Sequence, residues 1–260
     1  MAGSSVRTLV IGDVHGCLDE LRALLDVLSP HPDEHLVFCG DLVDKGPDSA
    51  GVVQYVRELR EAGQRVTLVE GNHEAKHARF RRHEKARLET GAPNPVRGAV
   101  AIGRVHAALS PSDIAFLESS VLYLRLPEHD ALVVHAGVPP SVTELPPVEV
   151  IAACSRPDRD RYEQLLRVRY VNARGRMVAL GEETPEDSYW SEVYDGRFGH
   201  VYFGHQPYFG AEPRRTRHTT GLDLGCCFGN RLCAAVLTPD REPGFVSVPS
   251  AARHARGLWE

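Results

Sequence analysis

The 260-residue chain is 42% hydrophobic and 25% charged, and it carries a net charge of −5 with histidine neutral. This is the composition of an ordinary globular domain, and its acidic balance disfavours nucleic acid and anionic membranes as partners. Because no apolar run approaches the roughly 20 residues that span a bilayer, and the N-terminus lacks the pattern of a secretory signal, we expect one cytoplasmic domain over residues 1–260, without a membrane or a stable nucleic-acid partner.

Short β-branched runs alternate with amphipathic helical segments in the first part of the chain. The runs "VRTLVIGD", "EHLVFCGD" and "RVTLVEGN" each end at a glycine or a polar turn, which is typical of buried strands. Between them, "CLDELRALLDVLSP" places leucines at helical spacing up to Pro30, and "DSAGVVQYVRELREAG" has Asp48 or Ser49 as its N-cap and Gly63 as its C-cap. This alternation predicts βαβ units and a parallel sheet.

The pattern changes after residue 73. A basic helix, "EAKHARFRRHEKARLE", is followed by helical stretches at about residues 98–109 and in "SPSDIAFLESS". Two strands, "VLYLRLP" and "ALVVHAG", come next, and residues 155–198 are interpreted as irregular apart from a short helix at Arg161–Val168. The strands "HVYFGH", "HTTGLDLG" and "RLCAAVLT" complete the chain, so the order of elements predicts an α/β sandwich of two sheets.

The six cysteines are interpreted as small buried side chains in a reducing compartment. Several lie inside apolar runs such as "HLVFCGD" and "RLCAAVL", where a cysteine packs like any small hydrophobic residue. The chain contains no CxxC pair, so the sequence does not indicate a zinc site built from thiolates.

Polar side chains follow five of the predicted strands at the point where each strand ends. In chain order they are Asp13 and His15, Asp41 with Asp44, Asn72 with His73, His135, and His205. Because the loops after parallel strands meet at one edge of a sheet, we expect these side chains to converge there. Asp13 and His15 lie two residues apart, so both point to the same side. The remaining histidines, His77 among them, are interpreted as surface or structural groups.

Six oxygen and imidazole donors suit a pair of transition metals. They favour Mn²⁺, Fe, Zn²⁺ or Co²⁺ over a lone Mg²⁺ or Ca²⁺. A single catalytic zinc uses only three protein ligands, whereas two ions that share one carboxylate would use all six donors. Any one of these turns alone would be read as structural, but the five together predict a metal site.

The motifs "GDVHG", "GDLVDKG", "GNHE", "HAG" and "GH" resemble those of the calcineurin-like metallophosphoesterases. More narrowly, they resemble the phosphoprotein-phosphatase branch, which includes bacterial dinucleoside tetraphosphatases. A further segment, "LDLGCCFGNRL" at 222–232, resembles the C-terminal signature of the tetraphosphatase-like members. With this resemblance we predict a four-layer α/β/β/α sandwich of two mixed sheets, with the metal site at the C-terminal edge of the strands.

The resemblance implies a role for each candidate metal ligand. Asp13 and His15 would hold the first ion, Asp41 would bridge both ions, and the second ion would be completed by Asn72, His135 and His205. The cofactors are expected to be two divalent ions, with Mn²⁺ preferred and Fe, Zn or Co as alternatives. A bridging water activated by both ions would attack phosphorus in line.

The resemblance also implies groups that handle the proton and the phosphate. His73 would protonate the leaving oxygen, and Asp44 would orient it. Lys45 occupies the position where the family usually has a phosphate-binding arginine; it keeps the charge but lacks the planar fork of two donors. A second phosphate-binding arginine is expected among Arg167, Arg169 and Arg174, of which Arg169 is preferred.

Asp223, in "LDLGCC", is expected either to support the metal site or a ligand histidine from behind or to cap a turn. In the basic helix, Arg79, Arg82 and Lys85 are candidates for contacts with distal phosphates. The alternative interpretation of that helix is an ordinary solvated face.

The predicted activity is hydrolysis of dinucleoside polyphosphates such as diadenosine tetraphosphate, with a nucleotide or another phosphorylated compound as the partner. The same metal site could instead serve a protein phosphatase acting on Ser/Thr or Tyr. A phosphatase acting on RNA ends and a catalytically inactive binding module are the remaining alternatives. The inactive module is disfavoured because all six predicted ligands and His73 are present.

Overall fold

The computed structural model describes residues 6–255, in which two five-stranded sheets lie face to face between helices. The helices are α1 (Leu18–Leu28), α2 (Ser49–Glu61), α3 (Asn72–Thr90), α4 (Ala99–Ala107), α5 (Pro111–Glu118), α6 (Val148–Ala153), α7 (Arg156–Glu163) and α8 (Trp190–Val193). The strands are β1 (Thr8–Ile11), β2 (His35–Phe38), β3 (Arg65–Leu68), β4 (Tyr123–Leu126), β5 (Ala131–Val134), β6 (Tyr170–Val171), β7 (Met177–Val178), β8 (Ser188–Tyr189), β9 (His200–Phe203), β10 (Arg214–Arg215), β11 (Thr219–Gly221), β12 (Arg231–Leu237) and β13 (Gly244–Pro249).

The first sheet has the strand order β13-β12-β1-β2-β3. Strands β1, β2 and β3 run parallel, β12 pairs antiparallel with β1, and β13 pairs antiparallel with β12. Every residue of β1 and β2 is buried because both faces of these strands are covered, which is why they form continuous apolar runs in the sequence.

The second sheet has the order β10-β11-β9-β5-β4, in which β11, β9 and β5 run parallel and the two edge strands are antiparallel. Both sheets are therefore mixed, as predicted. The loops that carry the candidate ligands follow parallel strands of both sheets.

Three apolar cores define the layers. The core between the sheets contains Val10, Val37 and Val133. Helices α1 and α2 pack on the outer face of the first sheet through leucines and valines such as Leu21. Trp190 fills the core on the outer face of the second sheet, beside residues of α6 and α7. This is the predicted order of helices, sheet, sheet and helices.

The segment 155–198 is more ordered than predicted. Helix α7 spans Arg156–Glu163 and is followed by a 3₁₀ turn at Gln164–Leu166. The helix therefore begins and ends earlier than the predicted helix at Arg161–Val168. Strands β6, β7 and β8 then form a small third sheet in the order β7-β6-β8. Strands of two residues are too short to show an alternating pattern, so no periodicity predicts them.

The helical predictions in the first half are confirmed in position. Asp48 caps α2 through the amide of Gly51, and Ser110 caps α5 through the amide of Asp113.

The six cysteines form no disulfide, and five of them are buried. Across residues 6–255, helices long and apolar enough to cross a membrane are absent.

Trp190 is expected to be a major source of stability for the outer layer of the second sheet. It is 2% exposed, and its ring packs 4.9 Å from that of Phe203 between centroids. Trp190→Ala should lower the free energy of unfolding by about 3–5 kcal/mol, because it removes a large buried ring and leaves a cavity. Val193→Ala is the control, since Val193 is 44% exposed. Equal urea midpoints for the two variants would contradict this role.

Candidate metal centre

The six predicted ligands lie in loops that directly follow strands of both sheets. Asp13 and His15 follow β1, Asp41 follows β2, Asn72 begins α3 after β3, His135 follows β5, and His205 follows β9. The structure brings all six together. Asp13, His15, Asp41 and His135 are at most 3% exposed, so most of the site is shielded from water.

Asp41 lies at the centre of the group. Its Oδ2 is 3.4 Å from His15 Nε2, and its Oδ1 is 3.5 Å from His135 Nε2. Burial by itself would raise the pKa of Asp41, but the imidazoles of His135, His73 and His15 outweigh burial and hold that pKa well below its ordinary value. One oxygen thus faces each half of the site, an arrangement that would allow this carboxylate to bridge two ions.

His15 presents its Nε2 to the first half of the site. Its Nδ1 lies 2.9 Å from the carbonyl oxygen of Val43 and must donate to it, so the lone pair remains on Nε2. Asp13 Oδ2 is 3.8 Å from this nitrogen. Burial and then the Lys45 ammonium lower the pKa of His15 well below its usual value, which keeps the imidazole neutral. A neutral imidazole is the form that binds a metal.

The second half of the site is formed by Asn72, His135 and His205. Asn72 Oδ1 is 2.9 Å from His135 Nε2 and 2.8 Å from His205 Nδ1, and these two nitrogens are 3.2 Å apart. His135 Nδ1 donates to the carbonyl oxygen of Cys39 at 2.8 Å, which directs Nε2 into the site. Burial lowers the pKa of both imidazoles, so both nitrogens can act as electron-pair donors.

The buried carboxylates of the site repel one another, so their close packing is unfavourable unless positive charge lies nearby. Burial, followed by repulsion from Asp223 and Asp41, raises the pKa of Asp13 well above its ordinary value. Burial also raises the pKa of Asp223 to about 6, although Lys45 opposes this. A divalent cation would offset this repulsion, and the oxygen and nitrogen donors match the preferences of Mn²⁺, Fe, Zn²⁺ and Co²⁺. The residues therefore fit a metal centre.

Backbone strain is concentrated at this site. Eight of the described non-glycine residues have positive φ, and five of them belong to the candidate site: His15, Asp41, Asp44, Lys45 and His205. Such conformations are costly for residues with a Cβ atom and cluster at functional sites.

Two glycines allow the backbone to touch the buried carboxylates. A Cβ atom at Gly204 would lie 1.8 Å from Asp13 Oδ1, and one at Gly71 would lie 2.3 Å from Asp41 Oδ1. Any larger residue at either position would displace a candidate ligand, which explains the glycines in "FGHQ" and "EGNHE".

His73 lies beside the metal ligands and is held by Asp44. Its Nδ1 is 2.6 Å from Asp44 Oδ2, and its Nε2 lies 3.9 Å from Asp41 Oδ2, on the side of the ligands. Burial would lower the pKa of His73, but the charges of Asp41 and Asp44 outweigh it, so the pKa is raised. The Nδ1–H group of His73 donates to Asp44, which leaves Nε2 directed toward the candidate ligands.

A cleft of about 490 Å³ opens above these residues. Asp41, Asn72, His73 and His205 form its floor. Its walls are formed by Lys45, by Arg167 with Arg169 and Tyr170, by the segment Met177–Leu180, and by Phe228 with Ala255. Lys45 Nζ lies 2.7 Å from His15 Nε2, so an ammonium group stands directly beside the metal ligands.

Of the three candidate arginines, Arg167 and Arg169 line the cleft. Arg169 is half-buried, and its Nη2 donates to the carbonyl oxygen of His205 at 3.2 Å. Its Nε is buried and lacks a partner among the described atoms, which leaves a donor for a ligand. Arg174 lies in the turn between β6 and β7, where its backbone amide donates to Asn172 Oδ1.

Asp223 and the basic helix α3 residues Arg79, Arg82 and Lys85 do not line the cleft. Asp223 Oδ1 accepts a hydrogen bond from the amide of Gly225 at 2.8 Å, so this carboxylate caps a turn while its charge acts on Asp13. In α3, Arg82 borders a different cavity together with Glu70 and Glu118. The positive charge of the cleft therefore comes from Lys45 and the arginines before β6.

A family model described as calcineurin-like phosphoesterase matches residues 6–209. The chain belongs to this family of phosphoesterases. Members of the family use divalent metal ions, and the chain is accordingly a metal-dependent hydrolase.

Two bacterial relatives match nearly the whole chain. The asymmetrical bis(5'-nucleosyl)-tetraphosphatase PrpE of Oceanobacillus iheyensis is 32% identical over 251 residues, covering 93% of this chain and 91% of the relative. The enzyme of the same name from Bacillus subtilis is 30% identical, with coverage of 93% and 94%. The predicted resemblance to tetraphosphatases is thus confirmed.

Solved structures confirm the fold. A candidate diadenosine tetraphosphatase superposes with a TM-score of 0.69 at 25% identity, covering 96% of each chain. A protein serine/threonine phosphatase from Saccharomyces cerevisiae superposes with a TM-score of 0.63 at 18% identity, covering 96% of this chain and 81% of the other. At that identity the second match shows the fold alone.

Sequence reasoning gave no role to two residues that support this phosphoesterase site. The carboxylate of Glu74 accepts hydrogen bonds from the amides of Asp41, Leu42 and Gly71 at 2.7–2.9 Å. His77, interpreted only as surface or structural, is fully buried and its Nε2 lies 3.0 Å from Asp44 Oδ1. The available signals were the capping-box position of Glu74 and the spacing of four residues between His73 and His77.

Glu74→Gln should weaken both the fold and the metal site. The amide nitrogen would face a backbone N–H, so at least one buried donor would lose its acceptor, which costs about 1–3 kcal/mol. Urea denaturation and metal analysis of the purified protein measure the two effects. Glu89→Gln, at an exposed position near the end of the same helix, is the matched control. Stability and metal content equal to those of the control would contradict the role of Glu74.

Proposed function

We propose that this phosphoesterase hydrolyses dinucleoside polyphosphates, such as diadenosine tetraphosphate, and cuts them asymmetrically to ATP and AMP. The observation that carries the hydrolytic site is the position of Asp41 between His15 and His135. The names of the bacterial relatives support the substrate class and the asymmetric cleavage. A cleft of about 490 Å³ with cationic and apolar walls suits a nucleotide.

In this proposal the protein holds two divalent ions, with Mn²⁺ preferred. Asp13, His15 and Asp41 would hold the first ion, and the second would be held by Asp41, Asn72, His135 and His205. Two such ions lower the pKa of a bound water and neutralise the charge of the phosphoryl oxygens. The neutral imidazoles and the buried carboxylates of this chain are suited to that task.

The remaining groups act on the substrate directly. Lys45 and Arg169 bind nonbridging phosphate oxygens and orient the phosphorus for in-line attack. The oxygen of a water molecule bonds to that phosphorus and releases its proton to solvent, while the bond from phosphorus to the bridging oxygen breaks. His73 gives the proton on its Nε2 to the departing oxygen, and Asp44 keeps the ring in the required orientation.

Analysis of the products tests this function against its alternatives. The Mn²⁺-supplemented protein is given diadenosine tetraphosphate or a phosphopeptide, and the products are separated by ion-exchange chromatography. ATP and AMP are expected from the dinucleotide, together with slow release of phosphate from the peptide. Two molecules of ADP would contradict asymmetric cleavage.

Three other results would favour the alternatives. Fast dephosphorylation of the peptide with intact dinucleotide would favour a protein phosphatase. Turnover of only a terminally phosphorylated RNA would favour the RNA-end phosphatase. A metal-loaded protein inert toward all three substrates would favour the binding module. The cytoplasmic location remains a prediction.

His73→Asn should lower kcat by about 10²–10⁴, because it removes a positioned general acid. Metal content should stay at the wild-type level. The loss should be smaller with p-nitrophenyl phosphate, whose leaving group needs little protonation. Similar losses on both substrates would argue against a proton donated to the leaving group.

Asp41→Asn should abolish turnover and reduce bound metal, because the amide has only one oxygen and no charge to share between two ions. In the wild type, Mn²⁺ at one hundred times its dissociation constant should stabilise the fold by about 2.7 kcal/mol, and chelation should reverse this gain. The variant should lose most of the gain in a thermal-shift measurement. Asp33→Asn, at an exposed position, is the control. Unchanged metal content and activity in Asp41→Asn would rule out the bridging role.

A further inference from the structure

The cleft has an apolar wall that the metal centre does not explain. The segment Met177–Leu180, which begins with β7, lines the cleft, and Leu180 is 53% exposed while Met177 is 36% exposed. Both side chains lie in the small third sheet or just after it, outside the cores of the sandwich. Exposed apolar side chains at the mouth of a binding cleft indicate contact with an apolar part of a ligand.

Phe228 adds an aromatic ring to the lining of the same cleft. It ends the 3₁₀ turn Cys226–Phe228, which is flanked by Gly225 and Gly229, both with positive φ. One side of the residue packs against the core beside the first sheet, and the edge of Phe209 supports it at 6.0 Å between ring centroids. The ring therefore has a fixed place while still lining the cleft.

A single lysine connects this ring to the metal centre. Lys45 Nζ is 2.7 Å from His15 Nε2 and lies over the Phe228 ring, 5.3 Å from its centroid. A phosphoryl group held by Lys45 would therefore have the Phe228 ring as a neighbour. An organic group esterified directly to that phosphoryl group can therefore reach the Phe228 ring, with no second phosphate between the phosphoryl group and the organic group.

This short connection distinguishes between the two ways of cutting a dinucleoside tetraphosphate. In asymmetric cleavage the attacked phosphorus can carry the ribose itself, so the base lies one sugar away. In symmetric cleavage a further phosphate separates the attacked phosphorus from either ribose. A base on Phe228 fits the first arrangement better, because that arrangement needs no further phosphate between the attacked phosphorus and the ribose.

We propose that Phe228 is the surface on which the base of the released AMP stacks, with Met177 and Leu180 covering it from the other wall, and that this contact selects the phosphorus to be cut. The three phosphates of the departing ATP extend toward Arg167, beyond the phosphoryl group that Lys45 and Arg169 hold. The inference rests on the proposed function, because it assumes a nucleotide substrate. Stacking between a base and an aromatic ring tolerates any base.

Binding of AMP and of inorganic phosphate to the Mn²⁺-loaded protein separates the base contact from the phosphate contact. Isothermal titration of Phe228→Ala should show AMP affinity reduced about tenfold with phosphate affinity unchanged, a loss typical of one stacked base. Phe228→Tyr should retain AMP binding because it keeps the flat face. Leu180→Ala should show a smaller loss for AMP only, and Leu88→Ala, an exposed leucine on α3, should show none.

The products of diadenosine tetraphosphate provide the second readout. Phe228→Ala should release a larger share of ADP than the wild type, because the base no longer fixes the position of the chain. If the ratio of AMP affinity to phosphate affinity in both Phe228→Ala and Leu180→Ala equals that of the wild type, the proposal that Phe228 stacks on the base is wrong. Unchanged products in a Phe228→Ala variant that has lost AMP affinity would overturn its control of the cleavage position.

The same experiments separate this inference from the proposed function. A wild-type protein that leaves the dinucleotide intact would refute the proposed function, and the AMP titration would still decide whether Phe228 binds a base. A wild-type protein that releases two ADP would overturn the selection of the phosphorus by Phe228. Should Phe228→Ala fail to fold, Leu180→Ala alters only an exposed side chain and carries the binding test.

Discussion

The concentration of buried negative charge at the shared edge of two sheets is the constraint on which the rest of the structure depends. Asp13, Asp41 and Asp223 are each at most 4% exposed, and their repulsion is costly unless positive charge or hydrogen-bond donors surround them. The imidazoles, Lys45 and backbone amides such as that of His205 supply this compensation. Glycines and residues with positive φ occur where the chain must turn tightly around these carboxylates.

The N-terminal end of α3 couples the metal ligands to the proposed acid. Within its first two turns it presents Asn72 to the second half of the site, Glu74 to the loop that carries Asp41, and both His73 and His77 to Asp44. A shift of this helix would therefore disturb the metal ligands and the proton donor together. Rigid elements that hold several reacting groups at once are an efficient way to maintain catalytic geometry.

The chemistry and the specificity arise from different parts of the chain. The candidate metal ligands follow strands of the two sheets, whereas the cleft walls come from the segment 167–180 and from the turn at Phe228. Fold and metal centre define a class of reaction, and the walls above them define the substrate. Lys45 belongs to both parts, because a compact ammonium can approach the metal ligands and the Phe228 ring at the same time.

The sequence by itself determined the sandwich and the six converging side chains, because β1 and β2 are buried on both faces and each ligand follows a strand end, so the signals are local. It also favoured Arg169 over Arg174, and the structure places Arg169 in the cleft. Only the tertiary structure revealed the small third sheet, the support from Glu74 and His77, and Phe228 above the metal site. Strands of two residues carry no periodicity, and these contacts join residues more than 30 positions apart, such as Glu74 with Asp41. Local patterns identify the strand ends that converge at a sheet edge, but they do not identify contacts such as these, because packing of the whole chain decides them.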